Sequence, residues 1–105
     1  MVHPKPEVWN WRDDGPRVPA KYGMDTIACF WAQRLPKFMM KPADRVYRSV
    51  RGNLKREMPD LDQWRDYCGK VAAHYQPWIK HWLPDDEAEC SWDPAMFAQV
   101  VNATI

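Results

Sequence analysis

Residues 41–76 read KPADRVYRSVRGNLKREMPDLDQWRDYCGKVAAHYQ, and the way this stretch divides decides the fold class. Its second half is the clearer one. Asp60 stands as an N-cap with Gln63 at the third helical position, the reciprocal pairing that satisfies two orphan backbone donors at a helix start. Behind it Leu61, Trp64, Tyr67, Cys68, Val71, Ala72 and Tyr75 recur at helical spacing along one apolar stripe until Pro77. Asp62, Arg65, Asp66 and Lys70 occupy the other side, so the spacing predicts a helix over residues 60–76.

The first half of the stretch gives a second helical pattern. At a helical turn of about 100° per residue, Val46, Tyr47, Val50, Leu54 and Met58 fall on one side. Lys41, Arg45, Arg48, Arg51, Lys55 and Arg56 fall on the other. Pro42 suits a first helical turn and Pro59 a stop, with Gly52 and Asn53 as a weak point between them. The expectation is a basic amphipathic helix over residues 42–58, joined through Met58, Pro59 and Asp60 to the next helix as an antiparallel helical hairpin. The expected class is therefore mainly α, a small helical hairpin with flanking short helices.

Working outward, residues 1–22 hold Pro4, Pro6, Pro16 and Pro19, each of which fixes φ and removes a backbone donor. They predict an extended arm with a turn at Asp13, Asp14, Gly15 and Pro16. On such an arm Trp9 and Trp11 share a face, which suits either a strap along a neighbouring protein or a segment folded over the chain's own helices. Asp25 and Pro36 bracket a short helix over residues 24–35, with Met24, Ile27, Ala28, Trp31 and Leu35 on one face. Residues 78–83 form one aromatic turn, and residues 84–92 an acidic loop. Asp93 and Pro94, an N-cap followed by proline at the first helical position, open a last helix over residues 94–102. No strand pair and no internal repeat is read. The domain division is an arm over residues 1–22 and a small helical domain over residues 23–105.

The chain has 105 residues, with ten prolines and seven tryptophans, so a single small core must bury an unusual area of aromatic surface. That imbalance argues for a partner. Hydrophobic residues at 46% against 28% charged suit a folded chain, and a mean hydropathy of -0.68 opposes a membrane-embedded one. No window approaches the about 20 apolar residues that span a bilayer. Residues 1–7 have neither an apolar core nor an Arg-rich, acid-free amphipathic pattern, so no cleavable presequence is expected. Cys29, Cys68 and Cys90 are odd in number and widely spaced, against a disulfide framework.

The net charge of +1 conceals a separation of charge. Residues 34–56 are strongly basic, with Asp44 as their one acid, while residues 81–105 carry acids and no Lys or Arg. The basic stretch suits anionic lipid headgroups or acidic protein loops, with Lys41, Arg45, Arg48, Arg51 and Lys55 as the contact residues. A nucleic-acid binder would be more basic throughout.

Candidate chemistry is sparse. His74 and His81 with Cys68 or Cys90 lack the paired short spacings of a structural zinc site. Cys68 and His74 are six residues apart on different helix sides, which opposes a nucleophile and base pair, and Cys68 lies in the apolar stripe. Asp85, Asp86, Glu87 and Glu89 cluster in a loop where mutual solvation explains them. No catalytic residue, cofactor or metal is assigned.

These features lead to the expectation of a non-catalytic accessory subunit of a large assembly. The assembly is expected to be a mitochondrial inner-membrane complex of energy metabolism, a respiratory chain complex or ATP synthase, with the chain peripheral on its extramembrane face. Trp9, Trp11, Trp78 and Trp82 would be its partner-binding residues. The alternatives are a self-sufficient regulator or inhibitor recognising its target through the acidic loop, in an intracellular soluble setting, and a small metal-binding module.

Overall fold

The computed structural model of the chain describes residues 2–30, 35–48, 52, 54–84 and 94–104. The fold is mixed α/β, not mainly α: these residues form helices α1 (Asp14–Lys21), α2 (Leu61–Tyr75) and α3 (Pro94–Thr104) with strands β1 (Thr26–Cys29), β2 (Met40–Arg48), β3 (Leu54–Pro59) and β4 (Ile79–Leu83). The strands make two separate two-stranded sheets.

The largest correction falls on the basic stretch. In place of a helix over residues 42–58, β2 and β3 pair antiparallel, from Met40 opposite Pro59 to Arg48 opposite Leu54. No helical hairpin forms. The weak point at Gly52 is the reason: its φ of +86° is a left-handed conformation that ends helices and turns hairpins. Arg48 Nη1 donates to the Gly52 carbonyl at 2.7 Å across the hairpin end. A two-stranded sheet leaves each strand an open edge, which tolerates Pro42 within β2. The ladder is irregular between Pro42 and Tyr47, where β2 carries extra residues. Tyr47 and Met58 turn inward, onto Met96 of α3, while Lys41, Val46, Arg48, Leu54 and Arg56 face solvent.

The helix expected over residues 24–35 is also replaced, by β1, which lies parallel to β4 and pairs Ile27 with His81, Ala28 with Trp82 and Cys29 with Leu83. The Phe30 N–H donates to the Leu83 carbonyl at 2.9 Å and extends that pairing. Residues 79–83, expected as an aromatic turn, are thus a strand. Gly23, with φ +76°, explains the other boundary. It ends α1 with a left-handed cap in which the Gly23 and Met24 N–H groups donate to the Ala20 and Pro19 carbonyls, both at 3.0 Å.

The N-terminal region is not an extended arm either. Residues 14–21 are the helix α1, and residues 2–10 fold into a tight loop in which the Asn10 N–H donates to the Val2 carbonyl at 2.6 Å and the Val8 N–H to the Lys5 carbonyl at 3.1 Å. Pro16 fits because it sits in the first turn, where an N–H has no partner inside the helix.

The expected α2 is present with its cap: the Asp60 carboxylate accepts from the Asp62 and Gln63 N–H groups at 3.1 and 3.2 Å. Its stripe is the spine of the core. Trp64, Cys68, Val71 and Tyr75 are buried and pack with Phe30, Met39, Ile79, Val100 and Ala103. The indole N–H of Trp64 donates to Thr104 Oγ1 at 2.8 Å, tying α2 to α3. Helix α3 begins at Pro94, as its start signal requires. Residues 85–92 of the acidic loop, Trp31 and Arg51 lie outside the described residues.

Candidate functional site

Two features stand out, one inward and one outward. Inward, the tryptophans of the N-terminal region are laid on α2. Trp9 stacks between His3, at 3.7 Å between centroids, and Trp11, at 5.0 Å. Trp11 stacks in turn on His74 of α2 at 3.8 Å with planes 7° apart. The His74 Nε2–H donates to the Asp13 carboxylate at 2.7 Å, and the Arg12 N–H donates to the Tyr75 hydroxyl at 2.8 Å. These bonds register the loop against α2, so Trp9 and Trp11 are half-buried within the chain itself. Of the two arrangements open at the sequence level, the structure has the one folded over the chain's own helix.

Trp78 and Trp82 also pack against the core, and Trp82 stacks on Phe30 at 4.4 Å with planes 12° apart. Ile79 and Trp82 of β4 both turn inside although they are three residues apart, because the β1–β4 ladder shifts register between Thr26 and Ile27 and leaves Lys80 as an extra residue. Among the described residues, much of the surface of Trp9, Trp11, Trp64 and Trp82 is therefore absorbed by ring-on-ring stacking.

Outward, a different set of apolar residues is left uncovered. Tyr22 is 73% exposed, Met24 60%, Ile27 67% and Leu83 51%. They follow the path from the α1 cap into β1, and Leu83 ends β4 beside Cys29. In the two strands the outward positions of the pleat hold Ile27 with His81 and Cys29 with Leu83, while Ala28 and Trp82 pack against the core. Among the described residues no third strand joins this sheet, and Ile27 and Leu83 on its outer face stay exposed. None of the four was selected from the sequence as a contact residue: Met24 and Ile27 fit the apolar face of the expected helix, Leu83 the aromatic turn, and Tyr22 the end of the expected arm.

The basic contact residues end up on the hairpin. Lys41 and Arg48 are exposed on β2, where Arg45 also lies, and Lys55 lies on β3, but they no longer share one helical face; Arg51 falls outside the described residues. Val46 and Leu54 are exposed among them.

The residues weighed for chemistry are dispersed. Cys68 is buried, and that burial pushes its thiol up from 9.0 to about 12 against a hydrogen bond with Thr104, so it stays a protonated core thiol. His74 is engaged with Asp13 and Trp11, and His81 is exposed on β4. Cys90 is outside the described residues. Among the described residues no group of three or more His, Cys, Asp or Glu side chains is placed to hold a metal ion, and no helix is long and apolar enough to cross a membrane. No family model, curated protein or solved structure matches the chain.

Proposed function

We propose that the chain is a non-catalytic accessory subunit that docks on a larger protein assembly through the outer face of the β1–β4 sheet. The observation that supports this most is the exposure of Tyr22, Met24 and Ile27 on one run of the chain and of Leu83 on the neighbouring strand, while Trp9, Trp11, Trp64, Trp78 and Trp82 pack in or against the core. Large apolar side chains grouped in this way favour a protein surface over water, at about 25 cal/mol for each Å² removed from solvent. The open edges of a two-stranded parallel sheet add unpaired backbone groups to the same region.

The basic hairpin is a second contact in this reading, with Lys41, Arg45, Arg48, Arg51 and Lys55 meeting an acidic loop of the partner or anionic headgroups. On that basis we place the assembly at the mitochondrial inner membrane, with this chain peripheral on an extramembrane face as part of an energy-metabolism complex. The charge pattern and the flanking aromatic residues Phe38 and Trp78 motivate that placement.

The test is to recover the native protein in mild detergent and size it, in parallel with a tagged Ile27→Lys, Leu83→Lys variant. Stoichiometric co-migration of the native chain with defined subunits, lost in the variant while its circular dichroism is unchanged, is the expected result. Elution of the native chain at its own 12.5 kDa would overturn the accessory-subunit reading.

A further inference from the structure

Beside the N-terminal loop lies a pocket of about 430 Å³, partly open to solvent and lined by Val2 and His3 of the loop, Ala28 and Trp82 of the β1–β4 sheet, and Tyr67 and Val71 of α2. Small-molecule sites occupy about 300–1,000 Å³. The pocket wall is aliphatic and aromatic apart from a few polar groups, and those groups indicate what would occupy it.

His3 is 8% exposed, and its Nδ1–H donates to the Val8 carbonyl at 2.9 Å. In the neutral ring this leaves Nε2 as an acceptor, and among the described residues nothing hydrogen-bonds to it. The ring is fixed by stacking on Trp9 and by an edge contact with Phe38 at 5.0 Å. Tyr67 lies nearly parallel to it, with ring centroids 6.2 Å apart. Among the described residues its hydroxyl also has no hydrogen-bond partner. Burial pushes the Tyr67 phenol above its ordinary 10.0, with Cys68 and Tyr75 adding to the effect, so the hydroxyl keeps its proton. An acceptor and a donor thus border one mostly apolar pocket, with His3 buried and Tyr67 half-buried.

We propose that this cavity binds a neutral, mostly apolar medium-chain alcohol, whose hydroxyl donates to His3 Nε2 and accepts from the Tyr67 hydroxyl while its alkyl chain lies against Ala28, Val71 and Trp82. A hydroxyl satisfies both groups at once. A carboxylate would need a second proton on His3 and would bring a charge into an apolar wall. Neither Ile27 nor Leu83 lines this site, so the docking variant leaves its wall in place.

The experiment is a titration of the intact chain with 1-decanol, followed by tryptophan fluorescence and by nuclear Overhauser effects between the alkyl chain and the Val71 methyls. Saturable one-to-one binding with contacts to Val71 is expected. Tyr67→Phe, which keeps the ring, should weaken it about threefold to tenfold, and decane should bind at least as poorly as the alcohol does to that variant. Absence of saturable binding would mean that the cavity holds water only and would overturn the proposal. Equal affinity of decane and decanol, or an unchanged affinity in Tyr67→Phe, would overturn it as well.

Discussion

Replacing Thr104 by Val should destabilise the chain out of proportion to the single oxygen removed. Trp64 is wholly buried, and its indole N–H donates to Thr104 Oγ1 at 2.8 Å, while that hydroxyl donates to the Val100 carbonyl at 2.7 Å. Valine has the same shape as threonine and lacks the acceptor. The indole N–H is then left dry and unpaired, which costs about 1–3 kcal/mol. For a domain of this size a loss of about 2 kcal/mol lowers Tm by roughly 8–16 °C.

The assay is urea unfolding followed by tryptophan fluorescence, run as a double-mutant cycle with Trp64→Phe. Trp64→Phe alone is also costly, because it opens space in the core. In the double variant donor and acceptor are both gone, so the unpaired-group penalty disappears. The double variant should therefore be more stable than the sum of the single losses implies, by about 1 kcal/mol. A Thr104→Val chain within about 0.5 kcal/mol of the parent, or strictly additive losses, would refute the view that this bond ties α2 to α3.

Cys68 predicts an alkaline weakening. The native thiol keeps its proton to about pH 12 while the unfolded one loses it near 9.0, so its contribution is complete below pH 9 and is lost as the pH rises toward 12. Urea midpoints should hold up to pH 9 and fall above it, and the fall should be smaller in Cys68→Ala; iodoacetamide labelling of Cys68 in the folded chain at pH 8.5 as fast as in urea would contradict this. Asp13→Ala removes the 2.7 Å bond to His74, and with it about 1 kcal/mol and the anchor of the N-terminal loop. Hydrogen exchange at the Asn10 and Arg12 amides should quicken, and unchanged protection there would show that stacking alone holds the loop.

The parts of the fold that were legible are those whose cause is local. Asp60 and Gln63 announce α2, and Asp93 with Pro94 announces α3, because a helix start is a matter of which side chain reaches an N–H two or three residues away. The Gly23 cap was equally local, with Lys21 in the turn before it, but Pro16 and Pro19 diverted the reading toward an extended arm. The misread segments are those where two periods fit the same residues. Val46, Tyr47, Leu54 and Met58 satisfy a helical stripe, and Tyr47 and Met58 also satisfy the inward face of a hairpin turned at Gly52. Short apolar runs do not separate these by periodicity.

What the sequence determined by itself was the spine of the molecule, the stripe of Trp64, Cys68, Val71 and Tyr75 on a capped helix, together with the start of α3 and the separation of basic from acidic segments. Only the tertiary structure decided that residues 26–29 would be a strand, because the partner that supplies their hydrogen bonds, Ile79–Leu83, lies about fifty residues away and no local window contains it. It also decided which aromatic residues were spent inside. Trp9 and Trp11 could serve a neighbour or their own helix, and the stack on His3 and His74, with the Asp13 and Arg12 hydrogen bonds, settled that by burying rings face to face. Exposure of Ile27 and Leu83 followed from the same choice: a pleated sheet has two faces, and the core covered one.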